Sequence, residues 1–593
     1  MRERRAPARA RTIVALLSGI AALVTGVACD RSSPPEPAST GSSDVPPVLP
    51  LLEAHDAEFE RKLHRVTDGV YSAVGFGLAN SILVEGDECA FVVDVMGSVE
   101  AAREVRAAFA DVSDLPIQAL IYTHNHADHV FGGRGIVPEG DVDVYAHATT
   151  SYYIDRLISV LRPIIGMRAD RMFGTRLPAK GDDRLVNSGS GPFVEAGHGG
   201  GTPGLIRPNR TFEDRLETRI CGVPVVLVHA PGETADQLFV WLPEKRVLLP
   251  GDNVYKAFPN LYTIRGTYYR DVVQWVQSLD VMRALHPAHL VPSHTRPVSG
   301  EDEIAGILTA YRDAIQFVHD QTIRGMNQGL TPDELVERIK LPPHLRNHPY
   351  LLEFYGTVEW SVRSIFAGTL GWFDGDTATL SPASPAERAE GMVALAGGVE
   401  NLLAATREAV AAERYAWAAE LATHLLRYDA DLDEAKQLKA ASLRALGQRS
   451  ISPNGRNYYL TQALELEGRV EVAPAPPTAA ALELAKSMPI GNFIAAMPGN
   501  LNAEAAADVD RVMGFRFPDV GESYGIHVRR GVAEVTRGFP EEPDVAISAD
   551  AGVWIEVVAG VRGLPAAMAT GDVSVEGGVL KVPAVLRFLS LFR

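Results

Sequence analysis

The sequence predicts an α/β sandwich in its first half, then an all-α segment, then a small α+β domain. Three observations predict it. From Leu51 to Gly300 short apolar runs alternate with Gly and Asp turns and with helical stretches. From Pro385 to Gly447 the chain is dense in Ala, Leu and Glu at helical spacing. After Pro474-Ala475-Pro476-Pro477, a proline break, it turns to strand-like alternation around Ile526–Val535 and closes on the apolar Val582–Phe592. The domains expected are 51–384, 385–473 and 478–593. A chain of 593 residues carries a prior of roughly four domains at about 150 residues each.

In the first domain, Ser81–Val84 and Phe91–Val95 flank Gly86-Asp87 and read as a hairpin. Ala119–Tyr122, Val225–Val228, Val247–Leu249 and Leu290–Val291 are buried-strand candidates, with Val99–Ala110 a helix between them. In the second, Tyr415, Ala418, Ala419, Ala422 and Leu425 form one stripe and Leu438, Ala441 and Ala445 another. Two helices divided by Asp429-Ala430-Asp431 are expected to form a hairpin, with Asp431 or Asp433 as cap of the second.

Ahead of the fold, residues 1–12 carry five Arg against one Glu, and Ile13–Ala28 is mostly apolar. That run falls short of the roughly 20 residues a membrane span needs. It reads as a bacterial export signal over 1–29, either of lipoprotein type with Cys29 as the lipidated residue, an ordinary cleaved signal, or an uncleaved anchor. Residues 30–50, rich in Ser and Pro, read as a tether. The expected location is periplasmic or secreted, with membrane contact only through a lipid anchor at Cys29.

Composition excludes several classes. Hydrophobic residues at 46% and charged residues at 22% rule out wholesale disorder. A net charge of −18, from 56 basic and 74 acidic residues, gives no global attraction for nucleic acid. An anionic substrate then needs a local cationic focus. Three cysteines, Cys29, Cys89 and Cys221, make neither a disulfide framework nor a Cys-rich zinc site, so any metal is held by His and carboxylates.

The stretch that carries chemistry is Thr123-His124-Asn125-His126-Ala127-Asp128-His129, directly after the apolar Leu120–Tyr122. His124 and His126 alternate out of an extended loop and reach one ion; Asp128 and His129, one turn on, reach a second. The alternative, a His-rich loop with only hydrogen-bonding duties, does not need three imidazoles and a carboxylate at a strand end. His147, His198, His286 and His289 match no ligand position, and Gly199-Gly200-Gly201 lacks the Lys-Ser/Thr of a phosphate loop.

On these residues the chain resembles the metallo-β-lactamase superfamily, whose first metal motif is H-x-H-x-D-H. Asp94 stands where that superfamily keeps an Asp behind the ligands, Pro231-Gly232-Glu233-Thr234 in its P-G-H-T loop, Gly251-Asp252-Asn253 in its bridging-carboxylate loop and Ser293-His294 at its last ligand. Glu233 in the third-ligand loop is similar to the bacterial alkyl sulfatases, which desulfate detergents such as dodecyl sulfate. So are Asn80 in Leu78-Ala79-Asn80, Gly204–Pro208, Asn260–Gly266, Leu370–Gly375 and Arg456–Thr461. Three departures stand out: Asp252 where the family carries Glu, a loop before Glu233 one residue shorter, and Thr295-Arg296 before Pro297 in place of an aromatic residue.

The resemblance implies an αββα sandwich, a helical dimerisation domain and a sterol-carrier-like C-terminal domain that binds apolar chains. It implies two Zn²⁺ per chain: His124, His126 and Glu233 on one, Asp128, His129 and His294 on the other, and Asp252 bridging. It also implies a homodimer and an alkyl sulfate substrate, with Arg265, Asn260 and Tyr262 around the sulfate. Two divalent ions against three carboxylates leave a single positive charge, so Arg265, whose planar fork donates two bonds at once, is the cation expected to complete the pull. The same site on this fold also suits another ester, a lactone or a phosphoester, and a third reading is a non-catalytic exported binder of surfactants or lipids.

Overall fold

The computed structural model describes residues 46–159, 162–193, 201–474 and 478–592. The export signal with Cys29, most of the tether, His198 and the 475–477 part of the proline break lie outside the described residues.

The first half holds two sheets. One contains β1 (Lys62–Thr67), β2 (Val70–Val74), β3 (Ser81–Glu85), β4 (Ala90–Val93), β5 (Ile117–Ile121), β6 (Asp143–His147) and β7 (Arg210–Phe212) in sequence order. Its β1–β4 are antiparallel and β4–β7 parallel. The other contains β8 (Arg215–Ile220), β9 (Val223–His229), β10 (Leu238–Leu242), β11 (Val247–Leu249), β12 (His289–Leu290) and β13 (Val298–Ser299), also in sequence order across the sheet. Strands covered on both faces read as unbroken apolar runs, and Ala90–Val93 and Leu238–Leu242 are buried throughout.

Between the sheets, Ile82, Val84, Phe91, Val93 and Ile121 meet Leu227, Leu238, Val240, Leu249 and Val291. Outside the first sheet, the helix Val99–Ala110 buries Ala102, Val105 and Phe109. Outside the second, helices Val272–Arg283, Glu301–Met326 and Val358–Leu370 bury Trp275, Leu279, Ile307, Tyr311, Val362 and Ile365 in one core. This is the αββα arrangement, with each buried large side chain contributing about 1.5–3 kcal/mol relative to exposure.

A disulfide joins Cys89 to Cys221, with Cα atoms 5.2 Å apart. Cys89 precedes β4 and Cys221 lies in the β8–β9 turn, so the bridge ties one sheet to the other, at the end of β4 opposite the loop that follows its parallel neighbour β5. The sequence reading rightly excluded a disulfide framework but missed this single bridge. With Cys29 assigned to the export signal, an even pair remained.

The helical segment extends beyond the expected hairpin to Pro385–Leu395, Val399–Ala411, Tyr415–Tyr428, Asp433–Gln448 and Pro453–Leu466. The first predicted stripe holds: Ala418, Ala422 and Leu425 are buried and Tyr415 and Ala419 half-buried. The second is rotated. Ala435, Ala440, Ser442, Leu443 and Gly447 are buried, Leu438 and Ala445 half-buried, and Ala441 exposed. The cause is the next helix, which packs Leu460 and the Arg456 backbone so close to Gly447 that a Cβ there would sit 3.1 Å from Leu460. Neither Asp431 nor Asp433 caps this helix, whose N-cap is Leu432.

The Arg456–Thr461 motif fastens the last of these helices to the sandwich. Buried Arg456 donates to the carbonyls of Arg184 (2.7 Å) and Asp182 (3.2 Å), and Asn457 to that of Asn187 (3.3 Å). The C-terminal domain is a sheet of β14 (Asp510–Phe517), β15 (Glu522–Arg529), β16 (Val532–Arg537), β17 (Val545–Ala549) and β18 (Val573–Val575), in the order β16-β15-β14-β17-β18. Helices including Ala551–Val558 and Val582–Ser590 cover it, packing Trp554 and Phe588 on Phe515 and Ile526. Asn492 donates to Asp155 of the sandwich at 3.2 Å.

Candidate metal centre

The parallel strands β4 and β5 deliver the site at their C-terminal ends. After β4 the chain turns through Asp94 and Met96, both at positive φ (55° and 70°), and Asp94 becomes a hub. Its carboxylate accepts from Thr123 N and Thr123 Oγ1 (both 2.9 Å) and from Ser293 Oγ (2.7 Å), and it pairs with His129 Nδ1 at 2.8 Å. A left-handed Asp is a strained residue held by its surroundings, as happens at functional sites. Two glycines permit the close loops. A Cβ on Gly232 would lie 2.1 Å from Asn253 Oδ1, the atom that accepts from Glu233 N at 3.0 Å. Gly251, at φ 60°, comes equally close to Gln237 Nε2.

Two groups of donors result. His124, His126 and Asp252 form one and Asp128, His129 and His294 the other, with the ligand atoms of each group within 4.8 Å of one another. Asp252 faces both: its carboxylate is 3.6 Å from His124 Nε2, 3.5 Å from His129 Nε2 and 3.1 Å from His294 Nε2. Three imidazoles are oriented through Nδ1, His129 by Asp94, His294 by the Leu78 carbonyl (2.9 Å) and His124 by Thr123 Oγ1 (3.0 Å). Since Thr123 Oγ1 donates to Asp94, it accepts from His124 Nδ1, which leaves Nε2 with its lone pair inward.

The donor set fits a pair of divalent ions. Among the described residues the buried His129 Nε2 and Asp252 Oδ1 have no hydrogen-bond partner, an arrangement costly without a cation. Burial pushes His124 down to about 3 and His126 well below the usual range, so both are neutral, as ligands must be. Burial opposes protonation of His129, yet Asp252, Asp128 and Asp94 hold it well above the usual value. The carboxylates therefore demand positive charge at this point.

Of the seven expected ligands, Glu233 is the one not drawn into either group. It stands outside both groups, buried, with Oε2 2.6 Å from Nη1 of Arg270, itself 4% exposed. Burial pushes the Glu233 carboxyl up, while the Arg270 guanidinium beside it pulls it back toward the ionised form. Asn260 is also buried, and its amide is taken by the protein: turned to satisfy both ends, the nitrogen donates to the Tyr262 carbonyl (2.7 Å) and the oxygen accepts from Arg270 Nη1 (3.2 Å). Tyr262 is half-buried. Arg265 is half-buried with Nη2 3.3 Å from His126 Nε2, and among the described residues it makes no ion pair. Its loop is anchored by Arg168, which donates to the Ile264 carbonyl at 2.6 Å. His147, His286 and His289 join neither group.

Sequence reasoning missed Arg270 and Asp236. The buried Asp236 accepts from Asn125 Nδ2 (2.5 Å) and Thr150 Oγ1 (2.8 Å), tying the His124–His126 loop to the helix Thr150–Ser159. Arg270 directly precedes Asp271, the N-cap of Val272–Arg283, and so reads as a surface charge at a helix start. The available signal was Glu233 itself, a carboxylate placed where a neutral residue is usual.

Residues 74–294 match the family model of the metallo-beta-lactamase superfamily, 331–469 that of alkyl sulfatase dimerisation and 478–593 that of the alkyl sulfatase C-terminal domain. A linear primary-alkylsulfatase from Pseudomonas sp. is 40% identical over 518 residues, 85% of this chain and 97% of that protein. The chain belongs to the alkyl sulfatase family. An (R)-specific secondary-alkylsulfatase from Pseudomonas sp. is 28% identical over 89% of this chain and 81% of that protein. The solved structure of the stereoselective inverting sec-alkylsulfatase Pisa1 from Pseudomonas sp. superposes with a TM-score of 0.83 at 26% identity, covering 94% of this chain and 87% of that one. The family's dimerisation match begins at 331, ahead of the boundary at 385 read from composition, and takes in helices such as Val358–Leu370 that pack on the sandwich.

Proposed function

We propose that this protein is an exported, zinc-dependent hydrolase of alkyl sulfate esters of the dodecyl sulfate type, releasing inorganic sulfate and an alcohol, and that it works as a homodimer. The observation that carries the reading is the convergence of six His and Asp donors in two groups about Asp252, in a chain similar over most of its length to alkylsulfatases. His and carboxylate donors in small, closed groups suit zinc.

Divalent ions held by His124, His126, Asp128, His129, Asp252 and His294 would supply Lewis acidity and activate water. The chain's own residues do the rest. Asp94, Thr123 and the Leu78 carbonyl fix the imidazoles. Arg265, with no carboxylate partner among the described residues and beside His126, binds a sulfate oxyanion. Asn260, its amide already engaged, supports the loop from behind. The match to the alkyl sulfatase C-terminal domain supports a role for residues 478–593 in holding the alkyl chain and raising its concentration near the site.

Export has support in the Cys89–Cys221 bridge, since stable disulfides belong to oxidising compartments; lipidation of Cys29 is part of the same reading and rests on sequence. The dimer has support in the dimerisation match and in Leu370, Trp372 and Leu395, which are 60%, 71% and 88% exposed. The test is a substrate panel on the purified protein: a primary alkyl sulfate, a secondary alkyl sulfate, a lactone and a phosphate monoester. Turnover of alkyl sulfates at least about a hundredfold above the others supports the reading, and preference for the lactone or phosphoester contradicts it.

A further inference from the structure

We infer that Arg270 is a positioning residue whose charge makes Glu233 equivalent, in sum, to the neutral histidine that the superfamily keeps at this place. The inference rests on the metal-centre reading. Glu233 and Arg270 lie in one buried contact, Oε2 to Nη1 at 2.6 Å, with side chains 3% and 2% exposed. Glu233 is the only carboxylate in an ion pair with Arg270 among the described residues. Among the described residues Arg270 Nε and Nη2 find no hydrogen-bond partner, and beyond Glu233 its Nη1 reaches only the uncharged carbonyl and amide oxygens of Asn260, so Glu233 is the one charge that answers the guanidinium. Asn260, on Arg270 Nη1, closes the pair on the side of the Tyr262 carbonyl.

A buried ion pair is weak evidence for stability, but removing one partner strands a charge. The pair is therefore one neutral unit. With Arg270 counted, the centre with two divalent ions keeps two net positive charges instead of the one that Asp128, Glu233 and Asp252 alone would leave. A carboxylate at position 233 then costs nothing in attraction for an anionic ester. It also gives Arg270 and Arg265 separate duties: one is buried in an ion pair, the other half-buried with no ion pair among the described residues.

The pair predicts reciprocal rescue. Glu233→His alone strands a buried cation beside the metals, lowering the melting temperature in chelator and weakening zinc binding by at least about tenfold. Adding Arg270→Met removes that cation and returns both to near the unmodified protein. Arg270→Lys, which keeps the charge, retains melting temperature and the KM for alkyl sulfate better than Arg270→Met, which raises that KM. Zinc content, melting temperature in chelator and KM are measured on the purified protein for all variants. A double variant no better than Glu233→His in both zinc binding and melting temperature overturns the inference, as does Arg270→Lys as damaged as Arg270→Met. An unmodified protein that binds no zinc overturns the metal centre as well, which separates the two failures.

Discussion

Two arginines five residues apart do different things, and only one was legible in the sequence. Arg265 sits beside His126 with no carboxylate partner among the described residues, whereas Arg270 is sealed against Glu233. Arg265→Ala should therefore lower kcat/KM for an alkyl sulfate by about a hundredfold or more, some 3 kcal/mol, with zinc content unchanged. Loss of zinc along with activity would make the residue structural. His55 gives a second prediction. Its ring stacks on Phe354 at 3.8 Å and meets Phe59 edge-on at 5.0 Å, and burial lowers its pKa from 6.5 to about 4. Above pH 6.5 it is neutral folded or unfolded. Below that the unfolded chain takes up a proton the folded one refuses, so stability falls with pH until about 4, by at most about 3 kcal/mol. His55→Phe should flatten that part of the melting-temperature profile relative to the unmodified protein. An unchanged profile would mean that His55 is not buried in solution.

At the scale of elements, the strands and the metal motif were readable because each is local. Phe91–Val95, of which Phe91–Val93 is strand, and Val247–Leu249 announce themselves as unbroken apolar runs, whereas Leu238–Leu242, equally apolar, was not read as a strand; His124 to His129 lie within one loop. What depends on a distant neighbour was not readable. The buried face of Asp433–Gln448 is set by the helix after it, and the partner of Glu233 comes from a loop more than thirty residues on. The bridge from Cys89 to Cys221, separated by 132 residues, is another such contact. A crosslink closing a loop of that length stabilises by about 4–5 kcal/mol in the chain-entropy model. Replacing both cysteines with serine, or reducing the bridge, should lower the melting temperature by several degrees while the zinc content of the folded protein is kept, because the bridge lies at the end of the sandwich opposite the metal loop. A loss of zinc before any unfolding would contradict that separation.

For the whole molecule, three domains share one body: Arg456 and Asn457 pin the helical segment to the sandwich, and Asn492 meets Asp155 from the C-terminal domain. The exposed Trp372 and Leu395 suit burial against a second copy. Light scattering should then give about twice the mass of one chain, and Trp372→Asp should move the population toward monomer; a single-chain mass for the unmodified protein would sink the dimer. In the proposed function, two metal ions grouped about Asp252 drive sulfate ester hydrolysis. Its most direct test strips the purified protein with chelator and follows inorganic sulfate release from dodecyl sulfate as zinc is added back. No release is expected without metal, and recovery should level off at two zinc ions per chain. Release that persists in the stripped protein, or a fully loaded, folded protein that releases none, would contradict it.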